Sequence, residues 1–195
     1  MNNRKKLVQM VTTALLMALI LLFGLTPIGF INVGVVYITF LCIPVLIGTL
    51  ALGLKTGLIL GICMGSVSLF TGLRAPSALV APILQKNILW VIILCYVPRL
   101  LVPMAAHGIR RLMAKENEKI SIPLAAGVGS LVNTIFYLGF MIVFYWLLGI
   151  ENPTLLTTIG TITLTAGLPE AAAAALISTP ILIALSKAGL IKKLK

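Results

Sequence analysis

From Leu7 through Leu54 the chain carries no charged residue. A helix rises about 1.5 Å per residue, so about 20 apolar residues cross the hydrocarbon of a bilayer, and this run is long enough for two crossings. The rest of the chain is similar: 60% of its 195 residues are hydrophobic and 10% are charged, against about 25% charged in a soluble domain. A single soluble core of this length cannot hide so much apolar surface. A soluble enzyme, a disordered chain and a secreted disulfide scaffold are thereby excluded.

Turn and charge signals divide the chain into six spans, at about 7–25, 37–54, 57–72, 88–109, 121–148 and 166–186. The first break is Thr26-Pro27-Ile28-Gly29, followed by Asn32 and Gly34. Gly53-Leu54-Lys55-Thr56-Gly57 is a tight turn, and polar loops cover Thr71 to Asn87 and Gly149 to Thr158. The expected fold is an all-α integral membrane protein, a single bundle of six transmembrane helices over residues 1–195. The first run lacks a small-x-small cleavage signal and is read as a retained span rather than a signal peptide.

Charge sets the orientation. Fifteen Lys and Arg oppose four Glu, a net charge of +11. In a soluble chain this would suggest nucleic acid; between apolar runs it suggests an anionic lipid surface. With the N-terminus in the cytoplasm, the inner segments hold Arg4, Lys5, Lys6, Lys55, Arg110, Arg111, Lys115, Lys119, Lys187, Lys192, Lys193 and Lys195. The outer side holds only Arg74, Lys86 and Arg99. This asymmetry places both termini inside.

An ionisable group at membrane depth is costly and therefore a candidate for function. Arg99 falls on the outer half of span 4, and Glu170 opens span 6 just after Pro169. Each has a structural alternative: the two could pair, or Arg99 could snorkel to the interface. Asn133 lies mid-span 5, either as helix–helix glue or as a ligand hydrogen bond. Arg74 and Lys86 are interfacial, and His107 lies near the inner end of span 4. Cys42, Cys63 and Cys95 lie in apolar runs and read as buried apolar residues without a redox or metal role.

No metal site, triad or carboxylate dyad can be assembled from one His, no Asp and scattered Glu. The P-loop pattern is missing too, so energy for active transport would come from a partner or an ion gradient. Small residues recur at i+4: Gly57, Gly61 and Gly65 on span 3, Ala14 and Ala18 on span 1, and Ala171 and Ala175 on span 6. Such ridges serve internal packing or docking to another membrane subunit.

In this order the features resemble the substrate-binding S components of energy-coupling factor (ECF) vitamin transporters, over nearly the whole chain. The resemblance is carried by TPIGFINVG from Thr26, IPVLIGTLALGLKTGLILG from Ile43 and GSVSLFTGLRAPS from Gly65. It continues through VPRLLV from Val97, GSLVNTIFYLG from Gly129 and LPEAAAAALISTP from Leu168. The pantothenate branch is the most similar, although Cys42 stands where that branch usually has His before Ile-Pro-Val. The resemblance implies a subunit of the bacterial cell membrane, not an enzyme, that captures a water-soluble vitamin from outside, either pantothenate or another small metabolite. It implies as partners a membrane scaffold subunit and two ATPase subunits, with no cofactor in this chain. It carries the scaffold-docking role onto Ala14 and Ala18. The expected pocket is outward, roofed by loops 26–38 and 72–87. Arg99 would hold a carboxylate. Asn133, Thr39, Glu170, Asn32 and Arg74 complete the candidate set. A stand-alone secondary transporter and a structural membrane subunit are the other classes; no internal repeat favours the former.

Overall fold

The structure is a computed structural model that describes residues 3–26, 30–33, 36–113, 115–151 and 154–187, with the side chains of 4–5, 30–33, 36–39 and 155–156 outside the description. Helix α1 (Asn3–Leu25) leads to a hairpin of β1 (Phe30–Val33) and β2 (Val36–Thr39). Then come α2 (Cys42–Leu52), α3 (Leu54–Arg74), α4 (Ala81–Lys86), α5 (Ile88–Leu112) and α6 (Glu118–Leu147). Helix α7 (Leu155–Ile162) runs through a π-helical turn (Thr163–Gly167) into α8 (Leu168–Lys187).

Among the described residues, five helices are long and apolar enough to cross a membrane: Lys6–Leu25, Leu54–Arg74, Ile88–Leu112, Glu118–Leu147 and Thr157–Lys187. Their outward faces are apolar, with Leu7, Met10, Leu15, Ile59, Ile62, Leu89, Ile135 and Leu176 exposed. A surface this apolar fits lipid, not water. Trp146 is 80% exposed at the end of α6, as an interfacial aromatic would be.

The second expected span differs. Residues 37–39 belong to β2, and the next helix has only 11 residues. That is about 16 Å, half of a hydrocarbon core. Helix α2 is instead the centre of the bundle: Cys42 to Leu50 are all buried, and α1, α3, α5, α6 and α8 surround it. Irregular backbone at membrane depth is tolerated where protein covers it, and the expected loop at 26–38 is accordingly the paired hairpin, with Phe30 opposite Thr39 and Val33 opposite Val36. Gly53 joins α2 to α3 at φ +97°, a backbone geometry suited to glycine.

The last span also differs. The helical run begins at Leu155 rather than 166, and Glu170 lies inside it instead of opening it. Pro169 explains the π turn. Its ring cannot follow an ordinary turn against the carbonyl of Thr165, and it lacks an N–H. The chain widens, and the Leu168 N–H donates to the Thr163 carbonyl, five residues back.

Two apolar clusters form the interior. One surrounds α2 and includes Val45, Leu46, Leu60, Val102, Ala126, Ala174 and Leu182. The other includes Ile83, Val91, Leu94, Leu138, Met141, Phe144, Tyr145 and Ile159. Trp90 and Phe140 pack on Phe144, with ring centroids 4.7 and 5.7 Å away. Tyr145 Oη donates to the Leu79 carbonyl at 2.9 Å, tying the segment before α4 onto α6.

At the end of the bundle away from the hairpin, Arg110 is 5% exposed, not a solvated loop charge as its place among the inner basic residues suggested. It donates to Ser121 Oγ and pairs with Glu118 at 3.7 Å. Glu118 in turn accepts from Ser186 Oγ at 3.4 Å, so α5, α6 and α8 share one polar clasp. Removing one partner of a buried pair strands the others. Arg110→Ala should destabilise the protein by about 2 kcal/mol, read as a lower thermal unfolding midpoint in detergent, with Glu118→Gln costing less.

Candidate functional site

Three of the polar residues inside the bundle lie along the seam between its two apolar clusters. On α5, Arg99 lies between Cys95 of one cluster and Val102 of the other. On α6, Asn133 lies between Ala126 and Leu138, and on α8 Glu170 precedes Ala174. The hairpin packs beside this seam, because β2 touches both the π turn and α8.

Glycines on α3 let α5 come close. A Cβ on Gly61 would stand 2.8 Å from the Arg99 carbonyl oxygen, and one on Gly65 would stand 2.8 Å from the Tyr96 ring. The Gly57-Gly61-Gly65 ridge is therefore internal packing, the first of its two readings. Ser66 Oγ and Tyr96 Oη lie 2.8 Å apart across the same interface. The Arg99 carbonyl is also one that no helical amide can reach, since its usual donor position is Pro103.

The Arg99 side chain is held on two sides. Its Nη1 donates to the Leu94 carbonyl at 3.0 Å. Its guanidinium carbon sits 4.6 Å from the centroid of the Tyr137 ring, a cation–π arrangement. Its Nε is buried without a hydrogen-bond partner among the described residues. Asn133, one turn before Tyr137 on the same helix face, is 9% exposed, and its Oδ1 is likewise buried without a partner. Glu170 is 9% exposed. Cys42 lies within electrostatic reach of both Glu170 and Arg99. The seam thus joins the first residue of α2, the middle of α5, the middle of α6 and α8 just past its π turn.

Of the six candidate ligand residues, the structure brings Arg99, Asn133 and Glu170 to one seam. Arg74 stands apart, exposed in the last turn of α3, where a cation suits the helix C-terminus. Asn32 and Thr39 lie on the two hairpin strands, and their side chains fall outside the description. Ala14 and Ala18 are exposed on α1, whose other face buries Leu16 and Ile20. Ala171 is buried and Ala175 half-buried, near where a Cβ on Gly127 would sit, so the span 6 ridge packs inward.

Two residues of the seam were missed in the sequence. Cys42 reads as apolar filler, yet it lies within electrostatic reach of Glu170 and Arg99. Only the packing of α2 against α8 brings them together. Tyr137 could have been found, since it lies one helical turn past Asn133. Among the described residues, no three His, Cys, Asp or Glu lie close enough to hold a metal ion.

The family model described as "ECF transporter, substrate-specific component" matches residues 8–182. The chain belongs to that family: it is a multi-pass membrane transport component that binds a small-molecule substrate, and not an enzyme. It is also 28% identical, over 77% of its length and 78% of the relative's, to the pantothenic acid transporter PanT of Lactococcus lactis subsp. cremoris (strain MG1363).

Gly61→Ala tests the packing that holds α5 in place. The new methyl group meets backbone, so α3 and α5 must part. A loss of about 1–3 kcal/mol is expected, measured as a lower unfolding midpoint of the purified protein.

Proposed function

We propose that this chain captures pantothenate from outside the cell and delivers it through a separate membrane scaffold with two ATPase subunits. The observation that carries the reading is the seam, where the buried Nε of the half-buried Arg99 and the buried Oδ1 of Asn133 are each unpartnered among the described residues. Pantothenate offers a carboxylate for Arg99, and hydroxyl and amide groups for Asn133, Glu170, Thr39 and Asn32. Similarity to a pantothenic acid transporter supports this choice of vitamin. Arg74 and Lys86, exposed at the ends of α3 and α4, draw the anion toward the site.

In this reading, α2 and β2 together make the sixth crossing, the whole chain is one domain, and both termini are cytoplasmic. The excess of basic residues at that side supports the orientation. The ATP is used by the partners, since this chain has no P-loop. The exposed face of α1 supports docking through Ala14 and Ala18, where small side chains allow close approach of a partner helix.

Two experiments separate the parts of this reading. Purified Arg99→Ala should lose pantothenate affinity by roughly tenfold to a hundredfold, as expected for a charged hydrogen bond. Arg99→Lys should recover little, because an ammonium cannot offer a planar fork. Unchanged affinity in calorimetry removes Arg99 from the site. Ala14→Leu with Ala18→Leu should bind pantothenate normally yet abolish uptake with the ATPase module; normal uptake contradicts the docking role.

A further inference from the structure

Pro98 has no N–H, so the carbonyl four residues earlier in α5, that of Leu94, is left without its helical donor. This is the carbonyl to which Arg99 Nη1 donates, at 3.0 Å. A helix without this proline would offer that oxygen an amide already, and an arginine five residues on would compete with it. With Nη1 engaged there and the Tyr137 ring against the guanidinium, the buried Nε–H is left unpartnered. In a guanidinium, the Nε–H and one Nη2–H point the same way and form a fork that matches a carboxylate.

We propose that Pro98 is a positioning residue of the binding site: by freeing the Leu94 carbonyl it pins one end of Arg99 and leaves the Nε edge to receive a carboxylate side-on. The buried, unpartnered Oδ1 of Asn133, on the helix face that carries Tyr137, calls for a donor on the same ligand. The ligand class is therefore an anion with an O–H or N–H close to its carboxylate. The inference deepens the reading of Arg99 as a ligand contact and rests on it.

The first readout needs no ligand. In protein labelled with ¹⁵N-arginine, the Arg99 signals are assigned by their loss in Arg99→Lys. The pinned guanidinium of the unmodified protein should give two resolved Nη signals. A single averaged signal overturns the proposal. In Pro98→Ala the restored amide takes the Leu94 carbonyl, so the Nη signals should merge and the Nε–H signal should shift; an unchanged spectrum overturns the proposal. The second readout compares pantothenate with its alcohol counterpart, which lacks the carboxylate. Pro98→Ala should weaken pantothenate by roughly tenfold and leave the alcohol within about twofold. Equal loss of both compounds means that Pro98 only shapes the helix, which overturns the positioning role. Unmodified protein that binds neither compound overturns the choice of vitamin, and the arginine signals then decide on Pro98 alone.

Discussion

A half-buried guanidinium among apolar helices is poorly solvated by water, and the surrounding chain must make up the difference. Around Arg99 the protein supplies a carbonyl released by a proline, an aromatic face, and a glycine that admits the backbone of the helix carrying it. These satisfy one end and one face of the group and leave its Nε unpartnered. The rest of the interior is organised about this half-solvated charge. Apolar side chains pack above it around Phe144 and below it around Leu46.

The short central helix is what makes the seam possible. Were α2 long enough to cross the membrane by itself, its first turns would occupy the depth at which Arg99, Asn133 and Glu170 meet. Because it begins at Cys42, the chain above it is free to form a paired hairpin beside the seam. The π turn before Pro169 works to the same end on the other wall. An extra residue in the turn rotates the remainder of α8, the helix that carries Glu170.

The opposite end of the bundle is built differently. There Arg110, Ser121, Glu118 and Ser186 spend their hydrogen-bonding capacity on one another and bind three helices together. Polar groups that satisfy each other hold a structure, whereas the open groups at the seam suit the proposed ligand contacts. This division suits the substrate-specific component of a transporter, whose own chemistry is confined to binding.

Membrane residence and the helical character were legible in the sequence, and so was the oddity of Arg99, Glu170 and Asn133 within apolar segments. Each derives from hydropathy along one helix, and hydropathy is a local property. The ends of α3, α5 and α6 lie within a few residues of their expected positions for the same reason. The shortness of α2 was not legible, because an apolar segment reads alike whether lipid or protein surrounds it. Nor was the burial of Arg110 in its clasp, since a basic residue near a helix end looks the same paired or hydrated. The seam itself was decided by packing alone: Cys42 and Glu170 are far apart in the chain, and only the approach of α8 to α2 brings them within reach of each other. Local pattern determines which residues enter the membrane, while the contacts between helices determine which of them are left with an unspent hydrogen bond.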